Sequence, residues 1–293
     1  MNKWIMQIDV GKCTNCRNCF LAIKDEYVGN TFPGYSKPQK PHGQPWLDIR
    51  TVERGSFPRV DVTYVPYSCM NCRDAPCIEK SPDGAVYRRE DGIVMIDPEK
   101  ARGKREIVDS CPYGVIFWNE EENVPQKWCF DAHLLDNGWT RTRADQACPT
   151  GALKLSKLDE KEISELDDDE EWETIEPHLG TKPGVYYKNY YRVTKCFIAG
   201  CVATRREGCE DCVPDARVTL TQEGAKVAET MTDIFGEFKF DKLEPGSGTY
   251  VLKARHETLG AASCEVALPG SDSVDIGVLS LDDANDIRDG AEH

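Results

Sequence analysis

The stretch CTNCRNCFLAI, residues 13–23, sets Cys13, Cys16 and Cys19 at the spacing of a bacterial iron–sulfur run, C-x2-C-x2-C-x3-C. The fourth member of such a run falls at position 23, which is Ile23. Soft thiolates suit iron in a sulfide cage, and a cubane takes four of them. In two-cluster ferredoxins the last Cys of each run ligates the other cluster. A cluster then draws three cysteines from one run and one from a distant Cys-Pro. The gap at Ile23 therefore bears on a neighbouring cluster, and the fourth ligand for Cys13, Cys16 and Cys19 has to be sought downstream.

Three further runs can be laid out. CMNCRDAPCIEKSP gives Cys69, Cys72 and Cys77, with Ser81 in the fourth place before Pro82. A third run ends at SCPYG, where Cys111 precedes Pro112; counting back by the same spacing gives Ile107, Lys104 and Ala101, none of them a ligand. A fourth ends at ACPTG, where Cys148 precedes Pro149, and it also lacks usable upstream thiols. A pair of zinc sites is the alternative, because C-x2-C halves also suit tetrahedral zinc. Zinc accounts for the halves but not for the Cys-Pro context.

The order of these runs, with CMNC…APC, DGIVMIDPEKARGK, CPYG, QKWCFDAHLLD and CPTGAL, resembles the four-cluster ferredoxin-type subunits of molybdopterin enzymes of the dimethyl-sulfoxide-reductase family. That family's fourth segment reads Q-K-C-x2-C-x-H. Here its cysteine positions are Trp128 and Asp131, with Cys129 one place out of register, and the third position is Ala144. The resemblance implies that one cluster has lost Ile23, Trp128, Asp131 and Ala144 together, and another Ser81, Ala101, Lys104 and Ile107. Two [4Fe–4S] sets stay complete: Cys13, Cys16, Cys19 with Cys148, and Cys69, Cys72, Cys77 with Cys111.

A narrower resemblance lies in PGYSKPQKPHGQPWLDIRTVERGSFP, GAVYRREDGIVMIDPEKARGK, LGTKPGVYYKNYYR and TDIFGEFKFDKLEPG. These are similar to small subunits of transhydroxylases acting on pyrogallol and phloroglucinol. The last stretch also resembles the signature of a carboxypeptidase-regulatory or Cna-B-like β-sandwich. The resemblance implies a large partner subunit carrying molybdenum and two pyranopterin guanine dinucleotides, where hydroxyl transfer between trihydroxybenzenes occurs. This chain would hold no catalytic residue. In the family successive clusters step electrons outward, and the survivors resemble the first and third steps. Tunnelling falls steeply with distance, so such a gap suits a reaction without net electron export. An electron-transfer subunit of a related arene hydroxylase or reductive dehydroxylase is the rival. A stand-alone protein with structural clusters and a partner-binding sandwich is a third possibility.

Composition narrows the remainder. The 293 residues suit about two domains. A net charge of −15 opposes binding to a phosphate backbone, so no nucleic-acid role is expected. No apolar run approaches the ~20 residues that cross a bilayer. The opening MNKWIMQIDV reads as neither a secretory signal nor a twin-arginine leader. The fourteen cysteines therefore read as metal-binding rather than as a disulfide framework, in a reducing, cytoplasmic compartment.

The expected fold class is α+β: a double ferredoxin-like module over 1–155, with an insertion at about 24–68, followed by an all-β sandwich over 193–282. Between them, 156–192 reads as an acidic linker and docking segment, anchored only by Ile163, Leu166 and Trp172 and broken by Pro and Gly. Alternating segments after 193 place Val218, Leu220, Phe238, Phe240, Tyr250, Leu252 and Val266 inward. Residues 283–293 read as a solvated tail. CFIAGCVATRREGCEDC puts Cys196, Cys201, Cys209 and Cys212 at a spacing open to zinc, another cluster, or disulfides. Cys129 reads as a small buried hydrophobe, and Trp46 and His42 as residues facing a large subunit.

Overall fold

KWIMQID, residues 3–9, buries Trp4, Ile5, Met6 and Ile8, so apolar side chains leave on both faces of the strand. That pattern belongs to a central strand covered on either side. In a computed structural model of the chain, which describes residues 2–81, 83–206 and 209–281, this strand, β1 (Lys3–Asp9), lies inside a four-stranded sheet. Backbone contacts divide the chain into two units.

The first unit comprises residues up to Thr51 and Thr63–Tyr190. After β1 come helix α1 (Asn18–Tyr27) and the hairpin β2 (Leu47–Ser56) and β3 (Arg59–Ser68). Short elements follow: α2 (Pro76–Glu79), the pair β4 (Val86–Arg88) and β5 (Val94–Ile96), a 3-10 turn at Arg105–Ser110, and the pair β6 (Phe117–Asn119) and β7 (Val124–Gln126). Two further short helices, α3 (Ala132–Asp136) and α4 (Arg143–Ala147), precede β8 (Leu153–Leu158). The unit closes with α5 (Glu160–Asp168), β9 (Trp172–Glu173) and β10 (Val185–Lys188). The sheet order is β8-β1-β10-β9, with β8 antiparallel and β10 parallel to β1.

The stretch expected to be a linker is built into this unit. Ile163 and Leu166 sit three residues apart on α5 and are buried with Ile5 and Tyr186. Asp159 and Glu162 close a capping box at its start. Charge dominates the composition of 157–184, but one narrow apolar stripe suffices to dock a helix. The same packing takes Tyr186 and Tyr187 into the interior, 1 % and 0 % exposed. Trp46 is likewise interior, 1 % exposed with its ring 4.8 Å from that of Tyr27, whereas His42 is exposed.

The second unit comprises Val52–Val62 and the chain from Tyr191 onward. The first of these is the tip of the β2–β3 hairpin. After α6 (Tyr191–Thr194) it is all strand: β11 (Cys196–Arg206), β12 (Cys209–Cys212), β13 (Arg217–Gln222), β14 (Ala225–Met231), β15 (Glu237–Leu243), β16 (Gly248–His256), β17 (Gly260–Leu268) and β18 (Val274–Leu281). β11 pairs with β15 and then β12 along one edge and with β18 along the other. The other sheet runs β14-β13-β16-β17, and neither sheet closes on itself. All seven expected inward residues lie in one apolar core shared by the two sheets. Positions 283–293 fall outside the described residues.

Candidate iron–sulfur sites

The pairing of β1 with β8 brings together cysteines that are far apart in sequence. Ile8 lies opposite Leu153, and the amide of Asp9 donates to the carbonyl of Ala152 at 2.8 Å. β1 therefore runs into the Cys13–Cys19 loop just where β8 begins after Cys148. α4, which Cys148 caps at its C-terminal end, packs on α1, whose first turn carries Cys19. Left-handed backbone at Asn15 (φ 56°) and Arg17 (φ 61°) winds the loop so that its amides face the sulfurs. Backbone N–H groups of Asn15 and Phe20 serve Cys13 and Cys19, and that of Ala152 donates to Cys148 Sγ at 3.3 Å.

Cys13, Cys16, Cys19 and Cys148 lie close enough to perturb one another electrostatically. Burial pushes the Cys19 thiol up to about 12, and its three neighbours add to the shift. At Cys148 burial also raises the thiol, but amides of Leu153, Ala152 and Thr150 and the Thr150 hydroxyl outweigh it and hold the group below its usual range. Four such sulfurs ionise together only around a positive core, which an iron–sulfide cubane supplies.

The second quartet repeats the plan. Cys69 and Cys72 follow β3, Cys77 lies on α2, and Cys111 follows the 3-10 turn at Arg105–Ser110. Cys69, Cys72, Cys77 and Cys111 border a common space. The Asn71 amide donates to Cys69 Sγ at 3.4 Å, and amides of Val115 and Tyr113 serve Cys111. Burial, then the neighbouring sulfurs, push Cys72 up to about 12 and Cys77 to about 11. This quartet is the more enclosed: Cys69 and Cys72 are buried, whereas Cys16 of the first quartet is exposed. In both, the donor set, the ring of amides and the mutual repulsion suit a [4Fe–4S] cluster.

Sequence reading passed over Lys127. It is 5 % exposed and lines the second space, donating from Nζ to the carbonyls of Val94 at 2.5 Å and Trp128 at 3.3 Å. Burial favours its neutral amine, but the sulfurs of Cys69, Cys77 and Cys129 outweigh this and keep the ammonium. Its signal was the Q-K dipeptide ahead of Trp128.

Ordinary protein fills the two other ligand sets. Ile23, Trp128, Asp131 and Ala144 are each at most 1 % exposed. Asp131 accepts from Tyr27 Oη (2.8 Å), Trp128 Nε1 (2.8 Å) and the Arg143 amide (2.7 Å). Cys129 lies 3.4 Å from Tyr27 Oη, and His133 pairs with Glu26 at 2.9 Å. In the other set Ala101 and Ile107 are buried, Ser81 bonds Asp83 at 3.3 Å, and Lys104 pairs with Asp83.

The late cysteines do not gather at one point. Cys196 is buried in the apolar core with Sγ 3.3 Å from the Ser271 carbonyl. Cys201, five residues along β11 and so roughly 16 Å away, donates to the Phe235 carbonyl at 3.4 Å and meets Cys212. Cys209 and Cys212 are exposed on β12. Among the described residues no three His, Cys, Asp or Glu side chains are grouped to hold a single metal ion, at Cys196–Cys212 as elsewhere.

Residues 60–158 match the family model described as a 4Fe-4S dicluster domain. The chain is 43 % identical, over 96 % of its length and 100 % of the relative's, to the pyrogallol hydroxytransferase small subunit of Pelobacter acidigallici. It is 36 % identical to a thiosulfate reductase electron transfer subunit of Salmonella typhi, over 55 % of this chain and 80 % of that one. An arsenate respiratory reductase iron-sulfur subunit of a Shewanella species is 33 % identical, over 45 % of this chain and 52 % of its own. No described helix is long and apolar enough to cross a membrane. The chain thus belongs to the family of pyrogallol hydroxytransferase small subunits and is an iron–sulfur subunit of the 4Fe-4S ferredoxin type.

Proposed function

We propose that this subunit holds two [4Fe–4S] clusters, one on Cys13, Cys16, Cys19 and Cys148 and one on Cys69, Cys72, Cys77 and Cys111. On this reading it serves a large molybdopterin partner that moves hydroxyl groups between trihydroxybenzenes. The observation that carries this reading is the all-or-none partition of ligands: two gathered thiol quartets beside two sets replaced throughout by non-ligating, mostly buried chain. Each cluster, when bound, supplies a one-electron store. The protein's part is to fix the sulfurs, aim backbone amides at them and, around the second quartet, keep water out. The molybdenum and its two pyranopterin guanine dinucleotides belong to the partner, and no side chain of this subunit does the hydroxyl transfer. The β-rich region is read as a Cna-B or carboxypeptidase-regulatory sandwich, an assignment supported by its two sheets over one core. A cytoplasmic, reducing setting suits fourteen cysteines of which eight are cluster ligands.

The experiment is to purify the native complex, identify the partner, and count iron and molybdenum. Eight irons per subunit are expected. Cys148→Ala should remove only the cluster on Cys13, Cys16 and Cys19, and Cys111→Ala only the other, leaving about four irons in each. Twelve irons, or loss of both clusters from either variant, would refute the assignment. The resemblance to a protein named as an electron transfer subunit keeps a second reading in play, in which electrons leave the complex. Turnover of trihydroxybenzenes without an external acceptor favours the first reading, and strict dependence on one favours the second.

A further inference from the structure

We propose that Lys127 is the built-in counter-charge of the second cluster and raises its reduction potential. The inference rests on the assignment of a [4Fe–4S] cluster to Cys69, Cys72, Cys77 and Cys111. Three observations lead to it. Lys127 lies inside the protein, 5 % exposed, on the wall of the space those four cysteines enclose. Its Nζ is held by two carbonyls, those of Val94 and Trp128, which fix its place without neutralising it. Among the described residues no carboxylate pairs with it, and the groups that share its space and could balance its charge are the four proposed ligands, Cys69, Cys72, Cys77 and Cys111.

A buried cation is normally paired with an anion. Here the anion is a cluster that, with its four thiolates, is doubly negative when oxidised and triply negative after taking one electron. A fixed positive charge beside it stabilises the reduced state more than the oxidised one, and in a dry interior salt barely screens the effect. The cations near the first quartet are of another kind: Lys12, Arg17 and Arg141 have side chains 51 % or more exposed, and each pairs with an aspartate. Lys127 thus gives the second cluster a charge environment that the first lacks. That biases an electron shared by the two toward the enclosed site.

The test uses the intact complex with Lys127→Met, Lys127→Gln and Lys127→Arg, titrated with dithionite and followed by electron paramagnetic resonance. In each neutral variant the reduced-to-oxidised ratio of the second cluster, read at the parent's midpoint, should fall at least tenfold, about 59 mV for one electron. Lys127→Arg should stay close to the parent, and the first cluster should not move. Full iron content with an unchanged midpoint in the neutral variants would overturn the proposal, as would an equal shift at both clusters. Loss of the second cluster's iron from both neutral variants but not from Lys127→Arg supports the counter-charge role. Loss from all three refutes it, because shape rather than charge would then be what Lys127 supplies. Absence of the second cluster from the parent itself would instead sink the cluster assignment.

Discussion

Asp131 stands where the resemblance led one to expect a cysteine, yet it works as an internal acceptor. Its carboxylate gathers three donors, Tyr27, Trp128 and the Arg143 amide, within 2.8 Å. Burial raises the carboxyl, and these donors oppose that rise. The Tyr27 hydroxyl is pushed well above its ordinary range by burial and then by the charges of Asp131 and Cys129, so it remains a donor. Asp131→Ala should strand three buried donors at about 1–3 kcal/mol each, a loss of at least about 3 kcal/mol in denaturant unfolding, with iron content unchanged. A midpoint matching the parent's would show that the donors find other partners. At this scale the eight cysteines were legible because cluster ligands recur at fixed spacing. Lys127 and Tyr27 were not, because each acquires its role from residues far away in sequence.

Among the elements, the β2–β3 hairpin departs most from what its sequence suggests. Residues 24–68 read as an insertion, yet the tip, Val52–Val62, is part of the strand-rich second unit. Arg54, 6 % exposed, bonds Asp61 at 2.7 Å, Asp241 at 2.8 Å and the Lys195 carbonyl at 3.0 Å. Asp61 also accepts from Arg192 at 2.7 Å and Lys239 at 3.1 Å. Burial alone would raise the Asp61 carboxyl, but bonds from Arg192, Arg54 and Lys239 hold it far below the carboxylate range. Its folded value therefore lies under its unfolded one. The stability it contributes is complete above about pH 5 and is lost as pH falls further. Asp61→Asn should cost on the order of 3 kcal/mol at neutral pH and flatten the fall in melting temperature between pH 5 and 3. An acid limb parallel to the parent's would rule Asp61 out as its source. No local pattern announces such a network, since Arg54 and Asp241 are 187 positions apart. α5 was obscured differently: its acidic residues outweighed Ile163 and Leu166 in any reading by composition.

For the whole molecule, alternation of apolar residues was enough to reveal the C-terminal sheets, because each inward side chain reports its own face. The division into units was not, since it depends on where one hairpin ends up. A fragment beginning at Tyr191 lacks Arg54 and Asp61 and should melt below a version to which residues 47–68 are restored, whether fused or added as a peptide. Identical melting curves would show that the tip is dispensable to the sheets. The hairpin also has a consequence in time. Arg54 is translated 141 residues before Lys195 and 187 before Asp241. At ~5–20 residues per second, Lys195 follows after roughly 7–28 s and Asp241 after roughly 9–37 s. Until then the tip waits beside the ribosome as a charged ribbon, and its charges discourage pairing with other chains. The second unit is thus completed by its earliest-made piece, so any stall in translation past residue 62 leaves that piece waiting longer.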